Sequence, residues 1–312
     1  MPLLIVLILA LLQWDAMLAV AQSSTTTIAN SPTDWPWWRG PRRDGTADPN
    51  QQPPTKWGSG ENIRWRAPIA GRGHGSPTVL GQQVFIATAD PERRVQVVLC
   101  FDRATGQKQW EAVVHEGGFA NKSPRQANEK ASLASSTVAT DGERLFINFL
   151  NDSQVWTSAL RLDGEILWQR SLCEYIVHQG YGSSPAVYGH LVIVSADNKA
   201  GGIVAGLNRE TGEFEWRRAR PKKPNYASPV ILPLAGRDQL IFTGCDLVTS
   251  LDPLPGEELW EIEGSTTECV TTAVTDGTHV FSSGGYPRNH IAAVVGDGSG
   301  RVAWENNTRA YV

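Results

Sequence analysis

The chain has 312 residues, 41% hydrophobic and 19% charged, with 28 Lys+Arg against 32 Asp+Glu and a formal net charge of −4. This is a globular composition, which excludes a disordered or collagen-like chain, and the acidic balance argues against a nucleic acid or an anionic membrane surface as partner. The 30 Gly and 12 Trp point to many turns and to one aromatic packing position used repeatedly.

In chain order, residues 1–21 read as a signal peptide. Leu3 to Leu12 is an unbroken apolar run too short to span a bilayer, and Ala19-Val20-Ala21 supplies a small-x-small cleavage site. Cleavage leaves Gln22 at the new terminus, where no cysteine stands to carry a lipid. An exported protein is expected, periplasmic or extracellular, with no transmembrane segment after cleavage. Residues 22–60 read as a flexible Ser/Thr-rich leader and a Trp-rich arm, in which Pro36, Pro41, Pro49, Pro53 and Pro54 exclude long helices.

Residues 61–312 are dominated by short β-rich runs, such as Val84–Thr88, Leu145–Phe149, Leu191–Val194 and Gln239–Phe242. Their internal period decides the fold. Trp110, Trp168, Trp216, Trp260 and Trp304 each follow a glycine by four residues: Gly106, Gly164, Gly212, Gly256 and Gly300. Val79, Val138, Val187, Val230 and Val274 precede those tryptophans by 31, 30, 29, 30 and 30 residues, each with Ser or Thr just upstream. One unit therefore predicts four short strands, the last carrying the Trp. The repeats span about 76–110, 136–168, 184–216, 228–260 and 271–304. Such units bury their faces only by stacking on one another, so the expected fold is an all-β propeller. The tryptophans would dock blade on blade, with Trp65 as an isolated member of the set.

Asp102-x-x-Thr105-Gly106-x-x-x-Trp110 and Asn208-x-x-Thr211-Gly212-x-x-x-Trp216 resemble the tryptophan-docking motif of the pyrroloquinoline-quinone-type (quinoprotein-like) β-propeller repeat family. Repeats two and five lack the Thr-Gly pair. The stretch from Asp34 to Gly45 is similar to the leader of a secreted planctomycete subgroup with this repeat. The family resemblance implies seven or eight blades. Only eight residues follow Trp304, so an incomplete ring of about five blades plus one N-terminal strand is expected. The resemblance extends to the outer-membrane barrel-assembly propeller, a scaffold.

Residues in loops leading into each first strand share one face of a propeller. They are Arg72 and His74, then Asn128, Glu129 and Lys130, then His178 and Tyr181, then Tyr226, and finally Glu268 beside Cys269. The loops between second and third strands add Asp90, Asp152, Asp197–Lys199 and Asp246 to that face. Polar groups converging near the axis suit a ligand; the same residues also read as ordinary solvated turn formers. The six histidines show no HxxxH or HExxH spacing, and no nucleophile elbow is present, so no catalytic or metal residues are assigned. Gly71-Arg72-Gly73-His74-Gly75 precedes a strand and lacks the GKS/T of a phosphate loop.

Two functions remain open. One is a non-catalytic module binding a protein or polysaccharide, with no cofactor. The other is an extracytoplasmic oxidoreductase of the alcohol- or sugar-dehydrogenase kind, using pyrroloquinoline quinone with calcium, as the resemblance implies. The adjacent Cys-Cys pair of such enzymes is missing from Cys100, Cys173, Cys245 and Cys269. Cys245 and Cys269 fall on adjacent blades near one face, where either a disulfide or two buried thiols fits the spacing.

Overall fold

The computed structural model describes residues 31–119 and 131–308. The predicted signal peptide, leader residues 22–30 and the candidates Asn128, Glu129 and Lys130 lie outside the described residues. Those described form strands and turns, and no helix among them is long and apolar enough to cross a membrane.

Five four-stranded antiparallel sheets follow one another along the chain. Blade one is β1 (Thr78–Leu80), β2 (Gln83–Asp90), β3 (Val95–Asp102) and β4 (Lys108–Glu116). Blade two is β5 (Ala139–Thr140), β6 (Arg144–Asn151), β7 (Gln154–Arg161) and β8 (Ile166–Glu174). Blade three is β9 (Ala186–Tyr188), β10 (Leu191–Ser195), β11 (Ile203–Asn208) and β12 (Phe214–Ala219). Blade four is β13 (Val230–Leu234), β14 (Arg237–Gly244), β15 (Leu247–Leu251) and β16 (Glu258–Glu263). Blade five is β17 (Val274–Thr275), β18 (His279–Gly284), β19 (His290–Val295) and β20 (Val302–Asn306).

The same irregularity recurs in every blade. Where the third strand meets the fourth, each Trp faces a small residue: Cys100, Ala159, Gly206, Ser250 or Ala293. The register slips immediately beyond, leaving the residue before the Trp as the extra member of a bulge. Such a bulge twists the strand and re-aims its side chains. The indoles of Trp65, Trp110, Trp168 and Trp216 each cover the turn glycine of the following blade. A Cβ on Gly106 would stand 2.4 Å from the Trp65 ring, on Gly212 2.6 Å from Trp168 and on Gly256 2.4 Å from Trp216. These three glycines also have φ near +70°, so the turn and the docking both demand the absent side chain. The indole N–H of Trp65, Trp110 and Trp168 donates to the carbonyls of Arg103, Leu162 and Arg209, at 2.9, 3.0 and 3.1 Å.

The Ser/Thr before each first strand forms a second tie. Ser76 N–H donates to Thr137 Oγ1, Thr137 N–H to Ser184 Oγ, and Ser184 N–H to Ser228 Oγ, at 2.9–3.0 Å. This relay links the innermost strands of blades one to four. The apolar cores lie between blades rather than within them. Phe85 and Val98 pack with Leu145 and Phe149 across the first seam. Phe146 packs with Val192 across the second, Ile193 with Phe242 across the third, and Trp260 with Val280 across the fourth. Among the described residues no buried cluster joins blade five to blade one. The outer strand β20 is exposed along its length, and Trp304 is 48% exposed. The arrangement is an open arc.

The Trp-rich arm does more than lead in. Trp35 pairs with Val79 on the edge of β1, and Thr140 N–H donates to the Pro36 carbonyl. Trp37 is buried in the core between blades two and three, with the Arg43 guanidinium 4.3 Å above its ring. Arg43 Nη2 donates to the Val187 carbonyl at 2.6 Å, and burial lowers its pKa to about 10. Trp38 Nε1 reaches Thr272 Oγ1 of blade five at 3.1 Å. From Asp34 to Arg43 the Trp-rich arm is a segment laid across the inner strands. Their free edges and apolar seams supply its partners.

Candidate loop-face site

The glycine-rich lead-in of blade one is a packing element. A Cβ on Gly71 or Gly73 would stand 2.1 or 2.4 Å from the Ala89 and Ala87 carbonyls, and one on Gly75 would stand 2.4 Å from that of Ser136. Arg72 exchanges backbone hydrogen bonds with Ala89, and His74 N–H donates to Ala134. Both side chains are exposed and neither lines the cavity that the other lead-in loops enclose.

Four other predicted residues converge. His178 and Tyr181 (lead-in of β9), Tyr226 (lead-in of β13) and Glu268 (lead-in of β17) come together where the loop face meets the axis. His178 Nε2 lies 3.1 Å from Glu268 Oε1, and Tyr226 Oη donates to Glu268 Oε2 at 3.2 Å. Lys199 Nζ lies 3.0 Å from His178 Nδ1. An ammonium can only donate, so Nδ1 accepts, and Nε2 carries the proton that is given to Glu268. Burial, and next the Glu268 charge, hold the Tyr226 hydroxyl well above its ordinary pKa. Tyr181 is buried, its hydroxyl donating to the Ser195 carbonyl, and burial likewise raises its pKa.

Beside this network opens a cavity of about 450 Å³, lined by Ala131, Ser135, Gln179–Gly182, Tyr226, Glu268, Val270 and Tyr286. Its wall thus draws on blades two to five. Tyr286 and Val270 were not singled out from the sequence. Tyr286 sits between β18 and β19, so extending the second-to-third-strand rule to repeat five would have found it. The backbone bridge between Glu268 and Tyr286 fixes the two loops together.

The remaining acidic loop residues serve the scaffold. Asp90 Oδ1 accepts the turn amides of Glu92 and Arg93. Asp197 pairs with buried Arg220 at 3.1 Å and also accepts from Asn225. Asp246 holds Lys223 at 2.6 Å. Asp152 takes a positive φ of 46° beside Ser153 in its hairpin turn.

All four cysteines are free thiols. The predicted proximity of the segments holds, since Cys245 N–H donates to the Thr267 carbonyl. The sulfurs diverge, however: Cys245 Sγ faces the Lys223 carbonyl, and Cys269 Sγ faces Ser265. Burial raises both thiols' pKa values, and pushes those of Cys100 and Cys173 up to about 11, which makes them inert packing groups.

The family model described as outer membrane protein assembly factor BamB matches residues 56–117 and 94–311. No curated protein sequence is significantly similar to the chain. Among solved structures, BamB from Moraxella catarrhalis is 18% identical, covering 78% of this chain and 64% of that one with a TM-score of 0.49. The quinohemoprotein alcohol dehydrogenase from Comamonas testosteroni is 13% identical, covering 77% and 44% with a TM-score of 0.52. A europium-containing methanol dehydrogenase is 9% identical, covering 77% and 62% with a TM-score of 0.49. The chain spans 44% to 64% of the length of these proteins, and at such identities the likeness is one of fold.

Proposed function

The chain belongs to the family of the outer membrane protein assembly factor BamB, and from that premise we propose that it is an exported, non-catalytic binding module whose loop face takes a protein or a polysaccharide. The observation that carries this reading is the convergence of loops from four blades on one aromatic-walled cavity. Concave, largely apolar sites with a few placed polar groups are where ligands bind. Val270 and Tyr286 stand 55% and 62% exposed, offering apolar surface to a partner. The relay beneath, and the arm across the inner strands, hold the loops on a rigid base. Export, to the periplasm or beyond, is part of the same reading and rests on the sequence of residues 1–21.

Three features of the described residues favour the non-catalytic reading over the quinone-and-calcium alternative. No three His, Cys, Asp or Glu side chains among them converge on a metal position. The cysteines are dispersed, and the one carboxylate of the cavity is already held by His178 and Tyr226.

The test is to screen the wild type and a Val270→Ser/Tyr286→Ala variant against a tiled peptide panel and a polysaccharide panel. A ligand bound by the wild type and lost in the variant is expected. Unchanged binding by the variant would refute the loop face as the site. A bound chromophore with dye-linked alcohol oxidation, after adding quinone and calcium, would restore the enzyme reading.

A further inference from the structure

Among the described residues Glu268 is the only charged one lining the cavity, and its side chain is 13% exposed. Both groups bonded to its carboxylate are neutral donors, the Nε2–H of His178 and the hydroxyl of Tyr226. The nearest ammonium, Lys199, is spent on the far nitrogen of the imidazole. Among the described residues no lysine or arginine is in contact with this carboxylate. Two of the four buried aspartates among the described residues are paired with arginine, Asp197 with Arg220 and Asp141 with Arg144, each at 3.1 Å, while Asp34 and Asp90 accept backbone amides. A partly buried charge without a counter-ion is costly, and a cation entering beside it relieves that cost.

The wall around Glu268 suits the same guest. Tyr181, Tyr226 and Tyr286 present aromatic surface, which attracts ammonium and guanidinium groups. Three of the wall's four hydroxyls have partners, Tyr181 on the Ser195 carbonyl, Tyr226 on Glu268 and Ser135 with Ser132, and the fourth belongs to exposed Tyr286 at the rim. A sugar needs many free donors and acceptors, which this wall lacks; a cation on an aliphatic stem needs one carboxylate and apolar sides.

Resting on the loop-face reading, we infer that the cavity takes the cationic side chain, Arg or Lys, of a polypeptide partner. The 450 Å³ volume admits such a side chain. Exposed Val270 and Tyr286 at the rim meet the residues flanking it.

The experiment titrates the full chain with an extended Arg-containing pentapeptide, with its citrulline isostere, and with cello- and malto-oligosaccharides. Wild type, Glu268→Gln and Tyr286→Ala are compared, and each variant's fold is checked by thermal melting. Glu268→Gln keeps the size of the side chain, removes the charge and replaces one of the two acceptor oxygens by an NH2 donor. The expected result is binding of the Arg peptide about tenfold tighter than the citrulline peptide, with that preference abolished in Glu268→Gln. If ligands bind and respond to Tyr286→Ala, but ignore both the citrulline exchange and Glu268→Gln, the cation inference falls while the loop-face reading stands. Binding of oligosaccharides and of neither peptide would likewise overturn the cation inference and leave the loop face in place. If no probe binds in a manner sensitive to either substitution, both fall.

Discussion

Seams one to three of the arc and the seam between blades four and five solve one packing problem in different ways. At the first seams an indole lies on a Gly turn, its N–H reaching the turn carbonyl directly in the two seams led by Trp110 and Trp168. At the last, Trp260 Nε1 donates instead to Gln239 Oε1 at 2.9 Å, and Gln239 Nε2 passes the connection to the Gly296 carbonyl of blade five at 2.6 Å. Gly300 lies further from its indole, with 4.0 Å between an added Cβ and the nearest Trp260 ring atom. The turn of blade five is Gly296-Asp-Gly-Ser-Gly300, with three glycines in five residues. Blade five also carries Ser265 and Thr266 at positive φ, in the lead-in that holds Glu268 and Val270. The regular seams make the scaffold, and the irregular blade supplies Glu268, Val270 and Tyr286 of the cavity wall.

The largest expected effect separates docked from undocked tryptophans. Trp168→Ala should cost about 3 kcal/mol of unfolding free energy, from the loss of a ring packed on Gly212 and on the blade-two core. Trp304→Ala, at the same sequence position but without a following turn, should change stability by no more than about 0.5 kcal/mol. Equal effects in denaturant titration would show that the two ends of the arc are not different.

The first seam also predicts a pH response. His115 of β4 is wedged against Phe149 and Trp156 of blade two, its Nε2 buried without a partner, and burial lowers its pKa to about 4 from an ordinary 6.5. The unfolded chain therefore takes up a proton near pH 6.5, whereas the folded chain does so only near 4. This seam is at full strength above pH 6.5 and loses roughly 2–3 kcal/mol as pH falls through that window. His115→Phe should flatten the stability profile between those pH values. An unchanged slope would assign the acid sensitivity to other groups.

A smaller effect is expected from the inner relay. Thr137→Val removes the acceptor for Ser76 N–H and should destabilise by about 1 kcal/mol, read as a lower denaturation midpoint with unchanged slope. Thr137→Ser, which keeps the hydroxyl, should recover most of the loss.

The blades were legible because repetition is written in sequence: a Trp, a Gly four residues before it and, some 30 residues upstream, a Val preceded within three residues by Ser or Thr recur five times. Each element of that signature has a local cause, in the bulge opposite a small residue, the positive-φ turn and the hydroxyl relay. The sequence also placed His178, Tyr181, Tyr226 and Glu268 on one face, because the loops of a propeller share a face by topology. It did not say which of them would meet. Arg72 and His74 occupy an equivalent loop and are drawn away by backbone pairing to Ala89 and Ala134. The sequence left Cys245 and Cys269 undecided, since the direction of a side chain on a neighbouring blade follows from packing rather than spacing.

The arm is the plainest case of what only the tertiary structure decided. Asp34 to Arg43 is proline-rich and has no period of its own, so nothing local assigns it a conformation. Its order comes from partners distant in sequence: Val79 on one blade, Thr140 on the next, Val187 and Thr272 beyond. Those partners come within reach of one segment only when the inner strands stand side by side. The sequence alone determined the blade, since its interactions are short-range and repeated; the arm and the cavity depend on long-range placement, which exists only once the blades have stacked.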